Sequence, residues 1–294
     1  MKLSRVGEDA LLASLLRELP GSREQIGDDC AVLDVRGSKN MLVLKTDCIV
    51  EKIHFETSAP PERVGWKAMM RPLSDFAAVS ATPQYALVTL IVPATKTTKW
   101  VMRLYRGLKS AAARFDVAIV GGETSATRGP VTISVSVSGW VERNRAISRR
   151  GGRKGDDLFV TGKLGGSLSG KHLQFIPRIK ESRWLTRTFR VHAMMDLSDG
   201  LGADLPRLAK ASKLGFNIEK DALPLAPGAK IEDAISDGED YELLFAVAPR
   251  DRDRLEHDWK KKFPKLRLTR IGSLTQQLNT STSQLLRRGY VHFQ

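Results

Sequence analysis

The sequence predicts two α+β domains in succession rather than one doubly wound sheet. Three observations carry this. The chain has 294 residues, long for one domain and comfortable for two. Segments of strand and helix period follow one another without the strict βαβ order of a parallel sheet. A basic, glycine-rich stretch from Arg149 to Asp156 separates the halves, so the spans expected are 1–148 and 149–294, with the boundary near residues 145–155.

Each element has a local reason. Glu8 to Leu19 has an amphipathic helical period and is stopped by Pro20 and Gly21. Cys30 to Leu33 and Met41 to Leu44 read as short strands around a turn at Gly37 to Asn40. Pro61 to Ala81 contains a helix rich in small and apolar residues. Tyr85 to Val92 is a strand ended by Pro93. Lys99 to Phe115 is helical, with Val101, Leu104, Leu108, Ala111 and Ala112 on one face. Val117 to Val120 is a strand running into Gly121-Gly122, and Val131 to Val141 alternates most clearly of all. In the second half, Leu158 to Thr161 and Tyr241 to Val247 read as strands, and Leu201 to Ser212 and Arg250 to Phe263 as helices.

Composition narrows the functional classes. A 41% hydrophobic content is ordinary for a globular chain. No 18-residue apolar stretch occurs and Met1 to Glu8 is polar, so a cytoplasmic protein with no membrane partner is expected. The two cysteines, Cys30 and Cys48, show no metal-binding spacing and read as buried free thiols. The net charge of +14 suits an anionic partner of some kind. No aromatic residues interleave the cluster from Arg143 to Lys154, and Lys260 to Lys262 is a second short run. Both read as solvated surface, and no nucleic-acid partner is expected.

The chemistry lies in acids that recur beside glycines and at strand ends. They are Gly27-Asp28-Asp29, Thr46-Asp47, Ser74-Asp75, Gly122-Glu123, Asp196-Leu197-Ser198-Asp199-Gly200 and Gly238-Glu239-Asp240. Each alone is commonly a turn or a helix cap, and Asp199 is placed to cap the helix after it. Gathered at one site, carboxylates repel until a divalent cation intervenes. Hard oxygen ligands then select magnesium, which keeps open positions for phosphate oxygens. No Walker A loop or protein-kinase loop is present. Gly162 to Gly170 either cradles a phosphate through backbone N–H groups or is a flexible connection.

The motifs resemble, in this order, those of the thiamine-monophosphate kinases of the aminoimidazole ribonucleotide synthetase-like superfamily. The most specific are Gly-Asp-Asp-Cys-Ala-Val-Leu at 27–33, Thr-Asp-Cys-Ile-Val-Glu-Lys-Ile-His-Phe at 46–55 and Leu-Ser-Asp-Phe-Ala-Ala at 73–78. Asp-Leu-Ser-Asp-Gly-Leu at 196–201 and Gly-Glu-Asp-Tyr-Glu-Leu at 238–243 complete the set, which spans Gly27 to the C-terminus. The resemblance implies the two-domain fold of that superfamily, with a dimer-forming sheet in the N-terminal domain. It implies transfer of the γ-phosphoryl group of ATP to thiamine monophosphate with Mg2+, in a homodimer. It places metal at Asp29, Thr46, Asp47, Asp75, Glu123, Asp196 and Asp199, and ATP at Gly122, Glu123, Arg149 and Ser198. It puts the thiamine phosphate at His54, Glu239 and Tyr290, and makes Asp47, Asp75 and Arg149 the catalytic group.

Four departures from the resembled pattern stand out. Lys45 replaces a small polar residue, Pro72 replaces an asparagine, Glu123 replaces an aspartate, and the span from Ser167 to Arg178 is short. Lys45 either takes the place of one metal ion or turns outward to solvent. Another ATP-dependent enzyme of the superfamily and a degenerate, binding-only relative are the alternatives. A selenophosphate synthetase would carry a reactive cysteine before Cys30, and a hydrogenase-maturation member would end in cysteine rather than Gln294.

Overall fold

Two five-stranded sheets divide the chain. The computed structural model describes residues 8–18 and 27–276, and Tyr290 lies outside them. A first helix, α1 (Glu8–Glu18), precedes β1 (Ala31–Leu33), β2 (Asn40–Val50), α2 (Pro61–Ala78), β3 (Thr82–Pro93), α3 (Thr98–Arg114), β4 (Ala118–Thr127) and β5 (Thr132–Glu142). The first sheet has the order β1-β2-β5-β3-β4, antiparallel except for the β3–β4 pair, which α3 connects as a crossover.

The second sheet holds β6 (Asp157–Thr161), β7 (Val191–Asp196), β8 (Gly215–Ile218), β9 (Leu243–Val247) and β10 (Leu268–Thr275). Its order is β7-β9-β6-β10-β8, antiparallel throughout. Helices α4 (Ile179–Thr188), α5 (Leu201–Ala211), α6 (Ile231–Ser236) and α7 (Arg252–Lys262) cover it. Strands β6 and β9 are buried at every residue. Phe159 and Phe245 pack with Leu185 of α4 and Trp259 of α7, in a core continuous with the first half. Leu158 and Leu244 pack with Leu201 and Leu205 of α5 in a second core.

Burial in β5 alternates along the strand, with Ile133, Val135, Val137 and Val141 inward, as the sequence period requires. Helix α3 buries Leu104, Leu108, Ala111 and Ala112, and Thr97 caps it by accepting from the Trp100 amide at 3.2 Å. Gly65 of α2 and Gly107 of α3 let the two helices touch. A Cβ at either would lie about 2 Å from a backbone oxygen of the other helix, at 2.1 and 2.0 Å.

Several elements differ from the sequence expectation. Strand β2 continues past Leu44 to Val50, because each residue from Asn40 to Val50 has a partner on β5. The ladder thus carries Lys45, Thr46 and Asp47 in spite of their polarity. Strand β4 likewise runs through Gly121, Gly122 and Glu123 to Thr127 beside β3. Strands β7, β8 and β10 and helices α4 and α6 are additional to the expected elements. Cys30 is buried as expected, but Cys48 is exposed because it lies on the outer face of β2. No described helix is long and apolar enough to cross a membrane.

The outer face of the first sheet is open. Leu44, Tyr85, Leu87 and Val120 are exposed there, around a groove that also takes in Thr46, Ser136 and Ser138.

Candidate active site between the two halves

Helix α2 builds the site. Pro61 starts it at a position where a missing N–H is harmless. It is buried along most of its length, packed on α3, α4, β2 and β7, so it lies between the halves. A helix so enclosed should be apolar throughout. Lys67, Arg71 and Asp75 instead recur at four-residue spacing, which puts them on one face. That face looks toward the turns after β2, the end of β7 and the segment before β9.

At one end of this face the acids converge. Asp29, Asp75 and Asp196 each bring a carboxylate oxygen within 4.8 Å of the others, and all three are buried. Asp29 follows the turn into β1, Asp75 is on α2, and Asp196 ends β7. Ser74 donates to Asp196 at 2.6 Å. Arg149 donates to both oxygens of Asp29, at 2.7 and 3.2 Å, and its backbone N–H donates to Asp28 at 3.1 Å. Burial pushes the Asp75 carboxyl well up, and the charges of Asp47, Asp196 and Asp29 add to this against Lys45. Burial and then Asp29 push Asp196 up to about 7, against the hydrogen bond from Ser74. All the donors are hard oxygens in a dry setting, and three carboxylates meet only two cations. That set fits a hard divalent ion.

Lys45 faces this cluster. Its ammonium lies 3.0 Å from Asp75, so the outward orientation does not hold. The alternation of β2 explains it. Lys45 and Asp47 share the inner face with buried Val43 and Ile49, whereas Leu44, Thr46 and Cys48 are exposed on the other. Burial opposes the Lys45 charge, but Asp75 and Asp47 outweigh it and hold its pKa above the ordinary lysine range. Asp47 lies 3.7 Å from Arg71, which donates to the Cys48 carbonyl at 3.0 Å.

Other expected residues are placed differently. The Thr46 hydroxyl accepts from Ser136 at 3.0 Å and lies 3.3 Å from Ser134, on the outer face. Glu123 is exposed on β4, an edge strand separated from β2 by β5 and β3. Within one chain neither side chain joins the buried triad. Gly122 has a packing reason of its own, since a Cβ there would fall 1.8 Å from the Val88 carbonyl oxygen. Pro72 is buried inside α2.

A cavity of about 600 Å³ takes Arg71 of the same α2 face into its wall. Its walls come from both halves, with His54, Phe55 and Arg71 on one side and His172, Ser198, Asp199, Glu239 and Tyr241 on the other. His54 is oriented by the Val50 amide, which donates to its Nδ1 at 3.0 Å. Glu239 is tied to Lys67, whose ammonium is fully buried and lies 2.5 Å from Oε2. Burial pulls the Lys67 ammonium down to about 8 against the Glu239 charge. Glu239 is also desolvated, but the contact with His172 and the Lys67 charge outweigh this and hold it at about 2.

Asp199 does not cap α5. The start of α5 has no side-chain cap; Asp204 inside it accepts from the Ser198 and Asp199 amides ahead of the helix at 3.0 Å each, while Asp199 pairs with Arg207. Burial, with Asp199 next, pushes Asp204 up to about 8. Two amides of the glycine-rich segment are taken by carboxylates. Gly165 N–H donates to Asp240 at 3.0 Å and Gly166 N–H to Asp237 at 2.9 Å. In the first basic cluster Arg143 pairs with Asp34 in the open, Arg145 lies near Glu142, and only Arg149 of the three pairs with a buried carboxylate, Asp29.

Sequence reasoning missed Lys67, Arg71, Ser74, His172, Asp204 and Arg207. For Lys67 and Arg71 a signal existed: two cations among small and apolar residues, spaced to share a face with Asp75. His172 had no such signal, because its partners are distant in sequence.

The chain resembles known proteins over most of its length. Residues 27–141 match the AIR synthase related protein N-terminal domain, and residues 149–280 match the AIR synthase related protein C-terminal domain. The chain is 39% identical to the thiamine-monophosphate kinase of Rhodopirellula baltica, over 96% of this chain and 95% of that one. A solved complex, AaThiL with AMPPCP and TMP, is 31% identical and superposes with a TM-score of 0.87 over 99% of each chain. The thiamine-monophosphate kinase of Stenotrophomonas maltophilia K279a is 30% identical with a TM-score of 0.75, over 92% of this chain and 93% of that one.

Proposed function

This chain belongs to the thiamine-monophosphate kinase family, and we propose that it transfers the γ-phosphoryl group of ATP to the phosphate of thiamine monophosphate, giving thiamine diphosphate. The observation that carries this reading is the buried triad Asp29, Asp75 and Asp196 in a chain whose two halves also wall a cavity. Arg71 links the two, since it lines the cavity and lies 3.7 Å from Asp47.

The chemistry asks little of a base. A phosphate monoester has a second pKa of about 6, so the acceptor is ionised at neutral pH. The difficulty is to bring two anions together in line, which is a matter of positioning and of positive charge. On this reading Asp29, Asp75 and Asp196 hold magnesium, with Asp47 beside them and Asp199 toward the cavity. The ion supplies neutralisation of the phosphate charge. Arg149 and Lys45 add fixed positive charge beside the same carboxylates. Arg149, Ser198 and Gly122 contact ATP, and His54, Glu239 and Tyr290 contact the thiamine phosphate.

The reading includes a homodimer. Leu44, Tyr85, Leu87 and Val120 form an apolar face on the first sheet, of the kind a second copy covers. Thr46 and Glu123 would take their part in metal binding on that face. Light scattering at micromolar concentration should give twice the 32.5 kDa chain mass. A monomer mass would remove the dimer from the proposal.

The test of the activity is direct. Purified protein with ATP, thiamine monophosphate and magnesium should form thiamine diphosphate, and chelation of the metal should stop it. Absence of product with magnesium in excess would overturn the reading.

A further inference from the structure

Lys67 directs its three N–H groups to three acceptors. Its ammonium lies 2.5 Å from the His54 carbonyl oxygen, 2.5 Å from Glu239 Oε2 and 2.7 Å from His172 Nδ1. An ammonium has three donors and no acceptor, so the tripod is complete. It is also fully buried, so no water competes for it.

Two consequences follow from the donor count. With Nδ1 accepting from Lys67, the neutral His172 ring carries its proton on Nε2. With Oε2 accepting from Lys67, Glu239 keeps Oε1 as a second acceptor. Neither His172 Nε2 nor Glu239 Oε1 has a partner among the described residues, and both side chains line the cavity. They are neighbours, since His172 Nδ1 and Glu239 Oε2 are 2.8 Å apart. The Lys67 ammonium, at about 8, is charged at neutral pH, as the tripod needs.

We propose that His172 Nε2–H and Glu239 Oε1 form a donor–acceptor pair that reads the aminopyrimidine edge of thiamine monophosphate, and that Lys67 is the positioning residue that holds both. This rests on the kinase reading above and deepens it. The pyrimidine carries an amine donor beside a ring-nitrogen acceptor, the complement of an acceptor beside a donor. The cavity wall suits such a ring, because Ile53 and Leu168 present apolar surface at 60% and 57% exposure beside Phe55 and Leu173. A site that pairs buried polar groups with a substrate edge rejects an analogue that reverses the edge, since both groups are then unpaired.

The analogue in which an oxo group replaces the pyrimidine amine makes that reversal, with an acceptor in place of the amine and a donor at the ring nitrogen. Steady-state kinetics with both substrates should show that the full-length protein prefers thiamine monophosphate. His172→Phe should raise KM for thiamine monophosphate about tenfold, the size of one lost hydrogen bond to a buried polar group, with KM for ATP unmoved. It should also reduce the preference for the amine over the oxo analogue. His172→Gln, whose amide can accept from Lys67 and donate to substrate, should recover much of both. Lys67→Met should lose the preference as well, and Lys67→Met with melting temperature lowered but preference intact would overturn the positioning role. Undiminished preference in a folded His172→Phe would overturn the assignment of the pair. Failure of the unsubstituted protein to phosphorylate thiamine monophosphate would overturn the kinase reading itself, and this assignment with it.

Discussion

At the Asp75 end of the polar face of α2, three buried carboxylates meet two cations, Lys45 and Arg149. At the Lys67 end, one buried ammonium meets one carboxylate, one ring nitrogen and one carbonyl. Both ends take charge out of water, at a cost that only good partners offset. The first leaves negative charge in excess, and burial, with the neighbouring carboxylates adding to it, pushes Asp75 and Asp196 toward the neutral form. The second is balanced, and Glu239 stays ionised. An unbalanced cluster is suited to take up a cation that comes and goes with the nucleotide. A balanced one is suited to hold its neighbours still.

The largest expected effect breaks the unbalanced end. Asp75→Asn should lower kcat by at least about a hundredfold, because even residues that only orient metal ligands cost 10–100-fold when replaced. The fold should persist, since the substitution removes a repelling charge. A turnover assay with a thermal melt checks both, and a near-normal rate would remove Asp75 from the metal set.

The second prediction sets the two ends against each other by pH. Asp196 rises from 3.8 to about 7 in the folded chain, so between those values the folded state binds more protons than the unfolded one. Its contribution is present at low pH and is lost as pH rises toward 7, with a slope of at most about 1.4 kcal/mol for each pH unit. Glu239 falls from 4.5 to about 2, so its contribution is full above 4.5 and is lost as pH drops through 2. Metal-free protein should therefore lose melting temperature from pH 5 to 7, with Asp204 acting in the same direction. Magnesium should restore more stability at pH 7 than at pH 5, since binding requires ionised carboxylates. Asp196→Asn should flatten the metal-free profile. A metal-free melting temperature that rises over this range would contradict the account.

The smallest effect concerns Lys45. Its ammonium stands 3.0 Å from Asp75 and so competes with a cation for that carboxylate. Lys45→Ser should raise metal stoichiometry, or shift the magnesium dependence of turnover by about tenfold, which is about 1.4 kcal/mol. Calorimetric titration and a magnesium series measure the two. Unchanged values would mean that Lys45 merely pairs with Asp75.

Much of this was legible in the residues. The periods of α2, α3 and β5, the two-part division and the acid-bearing motifs follow from local spacing, because side-chain direction along a helix or strand is a property of the backbone. That is why Leu104, Leu108, Ala111 and Ala112 of the expected face of α3 are all buried, with Gly107 added where α2 crosses. The motifs also carried the family resemblance. What spacing does not contain is which acids meet. Asp29, Asp75 and Asp196 come from a turn, a helix and a strand end that only long-range packing brings together. The same packing assigned the Gly165 and Gly166 amides to Asp240 and Asp237 rather than to a ligand. It turned Lys45 inward through the β2–β5 register and left Cys48 outside. Local sequence sets the direction of a side chain relative to its own element. A buried charge takes its partner from whatever the fold places opposite, and that was decided in three dimensions.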